Sequence, residues 1–192
     1  MISRLATLAL AATAMSLGGC MTNDSMGMNA GASDVAYVGG AAMYPSMTIV
    51  ENAVNSPIHT TLVAAVKAAG LVDTLSGEGP FTVFAPTNDA FAKLPAGTVD
   101  TLLLPQNKAQ LQSVLTYHVV PGRITAAELM AMIEAGGGTA TLTTVQGEPL
   151  TATMMGDMVM LTDAKGGMAH VTQANVMQSN GVIHVIDTVL MP

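Results

Sequence analysis

The 192-residue chain contains no tryptophan, three tyrosines, three phenylalanines, one cysteine and six basic side chains. A single cysteine cannot form an internal disulfide, so a domain built on a disulfide framework is excluded. The basic residues stand singly along the chain and are outnumbered by thirteen acidic ones, for a net charge of −7. Because nucleic-acid binding depends on clustered Lys and Arg that neutralise phosphates, we exclude DNA and RNA as partners.

Apolar sequence, by contrast, is plentiful, and its first run lies at the N-terminus. Arg4 is followed by an apolar stretch from Leu5 to Leu17 and by two glycines. A basic residue, a short apolar stretch and small residues before a cleavage point are typical of an export signal. The stretch is too short for a permanent membrane span. We therefore predict a signal peptide over residues 1–19.

The sole cysteine, Cys20, directly follows these small residues. This arrangement resembles bacterial lipoprotein signals, in which the cysteine becomes the acylated first residue. The resemblance implies an exported protein that is lipid-anchored to the bacterial envelope through Cys20, and Met21 in place of an aspartate favours the outer membrane. The alternative is an ordinary secretory signal, an unpaired thiol and an extracellular protein.

Residues 20–45 are rich in Gly, Ala, Ser, Asn and Met and show no sustained hydrophobic period. Such a composition predicts a flexible tether, although residues 37–45 carry two tyrosines that can dock on a domain. The remaining residues, 46–192, are enough for one domain with its own apolar core.

Short helices are predicted in the first part of this domain from their end signals. Pro57 at a first helical position and Gly70 at the end bound one helix. Thr125 and Glu128 have the spacing of a capping box, which predicts another helix over 126–135.

Strands are predicted where short apolar or β-branched runs are separated by turns that contain glycine. One such run follows the first helices, at 81–85, and another includes Tyr117 and His118. The second half of the domain consists of runs of this kind, at 139–144, 150–155, 158–162, 169–176 and 182–190. Helices followed by strands, rather than alternating with them, predict an α+β fold.

Three ordered stretches are more specific than this periodicity: GPFTVFAPTNDAF at 79–91, TYHVVPG at 116–122 and SNGVIHVIDTVL at 179–190. Together they resemble the fasciclin-like domain family over roughly residues 46–192. The resemblance implies an α+β fasciclin-like fold, a strand-rich wedge or sandwich with short helices packed along one side. It also implies a non-catalytic extracellular module for adhesion or interaction.

The residues that match the family motifs are expected to have structural roles. They are Thr87, Asn88, Phe91, Tyr117, His118, Asn180, Gly181, His184 and Asp187. One position departs from the family pattern, because Asn175-Val176 stands where an Asp-Ile or Asp-Val pair is usual. In some animal members that neighbourhood is linked to receptor adhesion, and we transfer no receptor to this chain.

The sequence contains no Gly-x-Ser-x-Gly elbow, no phosphate-binding loop and no His-Glu-x-x-His pair. We therefore predict a protein that is not an enzyme, without catalytic residues, metal ligands or a cofactor. The histidines are dispersed along the chain. His118 and His184 lie in apolar runs and are predicted to be buried and hydrogen-bonded, with catalysis or metal binding as the alternative. His59, near a helix start, is predicted to be exposed.

Methionine is unusually abundant, with sixteen residues. Thioethers are soft ligands that suit Cu(I), and they are also adaptable fillers of apolar cores. One group lies in two predicted strands and is interpreted as core: Met154, Met155, Met158 and Met160. A second group lies in the tether, where it offers at best a weak metal site: Met21, Met26 and Met28.

These features favour a non-catalytic, lipid-anchored module of the cell envelope that mediates adhesion or binds a ligand. Its expected partner is a cell-surface or envelope protein or polysaccharide. Two alternatives stay open: a periplasmic copper-holding protein based on methionine, and a hydrolase or lyase of envelope polymers, for which no residues can be named.

Overall fold

The computed structural model describes residues 35–192, and within them the chain forms nine strands and seven α-helices. The strands are β1 (Ala36–Val38), β2 (Ala41–Met43), β3 (Phe81–Pro86), β4 (Val119–Pro121), β5 (Thr139–Thr143), β6 (Pro149–Met155), β7 (Met158–Thr162), β8 (Met168–Gln178) and β9 (Gly181–Ile186). The helices are α1 (Ile49–Asn55), α2 (Thr60–Ala69), α3 (Val72–Leu75), α4 (Asn88–Ala92), α5 (Thr98–Leu103), α6 (Lys108–Tyr117) and α7 (Ala126–Ala135).

Side-chain caps determine where the helices begin. The hydroxyl of Thr125 accepts from the backbone N–H of Glu128, and the Glu128 carboxylate accepts from the backbone N–H of Thr125. This complete capping box confirms the predicted bounds of α7. Thr48 and Glu51 make the same box for α1, a helix that we did not predict individually.

Helix α2 begins at Thr60, three residues later than the predicted start at Pro57. The reason is a competing tertiary contact. The carbonyl of Pro57 accepts from Asn88 Nδ2, and the carbonyl of Ile58 accepts from the backbone N–H of Asn88. These two carbonyls are therefore bonded to Asn88, the first residue of α4. The predicted end is found, since Gly70 takes the left-handed conformation, with φ of 71°.

Seven of the strands form one sheet in the order β4-β3-β9-β8-β7-β6-β5. Strands β3 and β9, the second and third in this order, are parallel, and every other neighbouring pair is antiparallel. Every residue of β9 is buried. Strands β5 to β7 instead alternate buried and exposed residues, so they have one face toward the interior and one toward solvent.

Strand β8 bends the sheet. Its pairing with β9 shifts register twice, between Val171 and Gln173 and again between Gln173 and Val176. Asn175 lies within the second shift and has a positive φ of 59°, and its side-chain oxygen accepts from the backbone N–H of Ala126 at 2.7 Å. Bulges of this kind increase local twist. The residue that departs from the family pattern thus links the bend to the start of α7.

Two apolar cores lie on opposite faces of strands β3 and β9. One packs helices α1, α2, α3 and α6 against residues of β3 and β9 that include Val83 and Ile183. The other packs α7 and the inner faces of β5 to β8 against Phe84 and Ile186. The helices in front of one sheet face, followed by a strand-rich second half, confirm the predicted α+β architecture.

The hairpin of β1 and β2 lies within the predicted tether. Val38 and Met43 are each 2 % exposed and belong to the first core. The backbone carbonyl of Tyr37 accepts from Gln173 Nε2 on β8 at 2.9 Å. The structure therefore packs residues 36–43 on the domain, while residues 20–34 of the predicted tether and the signal peptide lie outside the described residues.

The prediction of a strand through Tyr117 and His118 is wrong. Tyr117 is the last residue of α6, His118 is its C-cap, and β4 begins only at Val119. Leu111, Val114 and Leu115 recur at helical spacing and all face the interior, so burial along one helix face extends the helix up to the motif.

Candidate functional site

His118 is buried at the junction of α6, β4 and the C-terminal segment, with 2 % of its surface exposed. Nδ1 lies 2.8 Å from the carbonyl oxygen of Val114, and Nε2 accepts the backbone N–H of Leu190 at 3.0 Å. A carbonyl needs a donor and an N–H needs an acceptor, so the ring is the neutral tautomer with its hydrogen on Nδ1. Both nitrogens are occupied, as predicted for a structural histidine.

The protonation state of His118 agrees with this geometry. Burial lowers the pKa of His118 to about 4, although its bond to Val114 and the charge of Asp163 act in the opposite direction. The apolar cavity beside the ring has a volume of about 40 Å³, enough for a few small atoms and too small for a substrate. His118 therefore has neither the access nor the free nitrogen that a catalytic histidine needs.

Tyr117, the other residue of the Tyr-His motif, also bonds within the protein. Its buried hydroxyl donates to the carbonyl of Pro149 at 2.9 Å and accepts the backbone N–H of Ala164 at 3.0 Å. These bonds tie the end of α6 to β6 and to the turn after β7. Burial is the main effect on this group and raises the pKa of Tyr117, so the hydroxyl stays neutral.

Asn180 holds the turn between β8 and β9 against the helical layer. Its Oδ1 accepts the backbone N–H of Ile49 at 3.0 Å, and its Nδ2 donates to the carbonyls of Leu75 and Gly77 at 2.8 and 3.0 Å. Gly181 follows where β9 approaches β3, and a Cβ there would lie 2.9 Å from the carbonyl carbon of Phe81. The Ser-Asn-Gly motif is therefore a structural joint.

The motif after β3 connects two helices. The Thr87 hydroxyl accepts the backbone N–H of Ala90 and caps α4. Asn88 Oδ1 accepts the backbone N–H of Thr61 at 3.0 Å, which satisfies one of the free donors at the start of α2. Phe91 is half-buried and packs against the first core and against a small apolar cluster of Ala90, Val114 and Val189. These three residues likewise act in the scaffold.

His184 lies in the centre of β9 and stacks on Phe84, with ring centroids 5.6 Å apart. Its Nε2 lies 2.8 Å from the carbonyl of Ile124, while Nδ1 has no hydrogen-bond partner among residues 35–192. The prediction that His184 is buried therefore holds, with one ring nitrogen bonded rather than two. Burial lowers its pKa.

The predicted exposure of His59 is wrong, because this residue is only 3 % exposed. Its Nδ1 is 2.8 Å from the hydroxyl of Ser56, within the turn that the contacts of Asn88 impose. Burial lowers the pKa of His59 against an opposing bond to Ala85. The prediction assumed that α2 begins at Pro57, which would have placed His59 in the first helical turn. The helix begins at Thr60 instead, and His59 precedes it as a buried residue.

Asp187, at the end of β9, is the one charged motif residue. Its Oδ1 accepts the backbone N–H of His170 at 2.8 Å, and its Oδ2 lies 3.2 Å from Lys93 Nζ and 3.5 Å from His170 Nδ1. The side chain is partly exposed, so the pair with Lys93 contributes at most about 1 kcal/mol. Its position beside His170 brings a carboxylate to the exposed side of β8.

One buried carboxylate, Asp163, was missed by the sequence analysis. Asp163 is 8 % exposed, and its Oδ1 accepts the backbone N–H groups of Lys165 and Gly167 at 3.0 and 2.7 Å. Its Oδ2 accepts the backbone N–H of Met191 at 3.0 Å. Asp163 therefore shapes the turn between β7 and β8 and fastens the C-terminal segment. The Asp-x-x-x-Gly spacing of that turn was the available signal.

The most distinctive exposed surface is the solvent-facing side of β5 to β8, which we call the outer face. Alternation places these side chains on it: Thr139, Thr141, Thr143, Thr151, Thr153, Met155, Met158, Met160, Thr162, Met168, His170 and Thr172. None of them carries a formal charge at neutral pH. On a protein with a net charge of −7, four neighbouring strands with no charged side chain on one face mark a candidate binding face. Asp187, which follows β9, contacts this face at His170.

The outer face corrects the interpretation of the methionines as core residues. Met155 and Met158 are 51 % and 50 % exposed and pair with each other across β6 and β7. Met160 also lies on the outer face, and only Met154 of this group packs against a core. Sequence alone could not separate the two faces, since methionine occurs on both. The group Met21, Met26 and Met28 lies outside the described residues.

A polar cleft of about 450 Å³ lies at the other end of the sheet, next to Asn180. Its charged residues are Glu78 and Arg123, and the Arg123 guanidinium is 3.3 and 3.4 Å from the carbonyls of Gln178 and Ser179. Within residues 35–192 no three His, Cys, Asp or Glu side chains are grouped to hold a metal ion. The cleft therefore offers hydrogen-bonding groups and one charge of each sign.

A solved structure shares this architecture. The FAS1 domain pair of the insect cell adhesion molecule Fasciclin I matches with a TM-score of 0.68 and 20 % identity, over 83 % of this chain and 58 % of that one. At this identity the likeness defines the class of fold, and it confirms the predicted fasciclin-like fold.

Sequence comparison shows the family. A sequence profile described as the Fasciclin domain matches residues 57–192, and the chain therefore belongs to the fasciclin domain family. Protein sll1483 of Synechocystis is 55 % identical over 157 residues, which cover 82 % of this chain and 80 % of that protein. The cell surface glycolipoprotein MPB83 of Mycobacterium bovis is 38 % identical over 160 residues, covering 81 % and 64 % respectively.

These comparisons place the chain among domains that occur in cell-surface and cell-adhesion proteins. None of the helices within residues 35–192 is both long and apolar enough to cross a membrane.

Proposed function

We propose that this protein is a non-catalytic, lipid-anchored adhesion or ligand-binding module of the bacterial cell envelope, and that it binds through its outer face. The observation that carries this proposal is the absence of charge on the outer face within an acidic protein. The motif residues are used by the scaffold, with Tyr117, His118 and Asn180 bonded to backbone groups. A binding role therefore has to use another surface.

The chemistry of the outer face favours an uncharged partner that is rich in hydroxyl groups. Thr141, Thr151 and Thr162 occupy directly opposed positions on three adjacent strands, so their hydroxyls follow each other at about the strand spacing of 4.8 Å. Each hydroxyl both donates and accepts hydrogen bonds. This row suits a neutral envelope polysaccharide, and a protein partner is the other outcome that a binding test can give.

The anchor is supported by sequence and by a relative. The run before Cys20 has the form of a lipoprotein signal, and MPB83, which matches 81 % of this chain, is named a cell surface glycolipoprotein. Several acyl chains, each contributing about 0.8 kcal/mol per buried methylene, would hold the protein on a membrane. Such an anchor leaves the domain free to face away from the membrane. Met21, in place of an aspartate after Cys20, favours the outer membrane as the site of anchoring.

The anchor predicts that Cys20→Ser releases the protein from the membrane. Expressed in a bacterial host, the wild-type chain should sediment with membranes and show a mass with Cys20 as an acylated first residue. The Cys20→Ser variant should appear in the soluble exported fraction, because the acyl chains have no attachment point. Ser25→Ala, a change within the tether, should behave as wild type. A Cys20→Ser protein that stays membrane-bound contradicts the anchor.

The binding face predicts that Thr151→Lys weakens adhesion. Binding would bury an unpaired ammonium in the row of threonines, so affinity should fall at least about tenfold. Purified protein is tested on an immobilised panel of neutral and anionic bacterial polysaccharides and on envelope proteins. Ala127→Lys, which adds the same charge on exposed α7, should change affinity less than about twofold. Equal losses for both variants, or none, would reject the outer face as the binding surface.

A further inference from the structure

The outer face brings together a thioether and an imidazole that are ten residues apart in the sequence. Met160 on β7 and His170 on β8 are directly paired. Their flanking residues Val159, Leu161 and Ala169 are buried, so both side chains project toward solvent. Cβ atoms of such a pair lie about 4.5 to 5.5 Å apart. A single ion can therefore be reached by the sulfur of Met160 and a ring nitrogen of His170.

Further thioethers flank this pair on the same face. Met158 precedes Met160 by two residues and is 50 % exposed, and Met168 precedes His170 by two residues and is 56 % exposed. Because β7 and β8 are antiparallel, the two methionines lie on opposite sides of the pair. Diagonal neighbours in a sheet are about 7 to 8 Å apart, within reach of long side chains.

The ring of His170 is oriented by its neighbours. Nδ1 is 3.5 Å from Asp187 Oδ2, and the same carboxylate accepts the backbone N–H of His170 at 2.8 Å. Lys93 Nζ, at 3.2 Å, holds the carboxylate from the other side. No hydrogen-bond partner for Nε2 lies within residues 35–192. A carboxylate on one ring nitrogen with the other nitrogen open is the usual arrangement of a metal-binding histidine.

The geometry points to a Cu(I) site on the outer face, formed by His170 Nε2 and the Sδ atoms of Met160 and Met158. Two thioethers and one imidazole form a soft donor set that suits Cu(I). Divalent ions that prefer carboxylates or thiolates find no group of three such side chains within the described range. The inference is independent of the adhesion role, since metal binding requires no partner.

The site is tested on the full chain carrying Cys20→Ser, which removes the only thiolate. Titration with Cu(I) under anaerobic reducing conditions, against the chelator bicinchoninate, should show one tightly bound equivalent. Met160→Leu and His170→Ala should each weaken binding by at least about tenfold. Met130→Leu, an exposed methionine on α7, is the matched control and should bind as the parent does. Unchanged thermal unfolding of the variants shows that the fold is intact.

A second measurement identifies the ligands directly. In protein with ¹³C-labelled methionine methyl groups, the resonances of Met158 and Met160 should shift on Cu(I) addition, and that of Met130 should stay in place. The triple change Met21→Leu, Met26→Leu and Met28→Leu should leave binding unchanged. Absence of stoichiometric binding overturns the site, and so does binding that this triple change abolishes or that leaves the Met160 methyl resonance unmoved.

Discussion

Replacing His118 with alanine should lower the free energy of unfolding by about 2 to 4 kcal/mol. The substitution leaves the carbonyl of Val114 and the backbone N–H of Leu190 buried without their partner. It also leaves a hole beside an existing cavity of about 40 Å³. Chemical denaturation followed by circular dichroism measures the change. His170→Gln, at a partly exposed histidine, is the control and should cost about 0.5 kcal/mol or less.

The same variant should alter how stability depends on pH. His118 has a folded pKa of about 4 because of burial, while an unfolded histidine has a pKa of about 6.5. Between these values the unfolded state binds the proton and the folded state does not. The free energy of unfolding therefore falls as the pH is lowered from about 6.5 toward 4, by at most about 1.4 kcal/mol per pH unit for each such group.

His59 and His184 act in the same direction, because burial also lowers their pKa values. His118→Ala should therefore reduce the slope in this window without abolishing it. A catalytic histidine would give a different result, since active-site groups often cost stability. An unfolding midpoint that is unchanged or raised in His118→Ala, with the wild-type pH slope retained, would show that His118 is not a structural residue.

Features that depend on neighbouring residues could be predicted from the sequence. The Thr125–Glu128 capping box correctly bounded α7, and the alternating runs located β5 to β8 to within two residues at either end. In these segments the residues that determine the helix or strand lie within or next to that helix or strand in the sequence. Tertiary contacts reinforce such segments rather than compete with them.

Features set by distant residues could not be predicted. Asn88 uses the carbonyls of Pro57 and Ile58, which moved the start of α2 and buried His59. Family resemblance located Asn180 but not its partners, since its bond to Leu75 joins residues 105 positions apart. The burial of one helix face up to Tyr117 outweighed the β-like composition around the Tyr-His motif.

The Met160–His170 pair shows the same limit at the candidate site. The spacing of ten residues does not by itself predict that Met160 and His170 are neighbours, because their pairing depends on the register that the turn after β7 gives to β7 and β8. That turn depends on Asp163, whose carboxylate binds the backbone N–H groups of Lys165 and Gly167. A hydrophobicity pattern treats methionine as a core residue, so the exposed thioethers could be recognised only once the sheet faces were known.

Gly181→Ala should destabilise the domain by more than about 4 kcal/mol. Gly181 pairs with Phe81 where parallel strands β3 and β9 meet. An added Cβ would overlap the Phe81 carbonyl oxygen and lie 2.9 Å from its carbon and 3.0 Å from Cδ1 of Ile49. Because backbone lies on one side and a core side chain on the other, the overlap can be relieved only by separating β3 from β9.

Gly156→Ala separates this steric effect from the general cost of losing a glycine. Gly156 has a φ of 64° and no atom within 4 Å of a Cβ built on it, so alanine there costs only the left-handed strain of about 1 to 2 kcal/mol. Soluble yield, limited proteolysis and denaturant midpoints of both variants should rank Gly181→Ala far below Gly156→Ala. A Gly181→Ala protein as stable as the Gly156→Ala control would mean that β3 and β9 can move apart at little cost. The Ser-Asn-Gly turn would then not be the joint that holds the sheet to the helical layer.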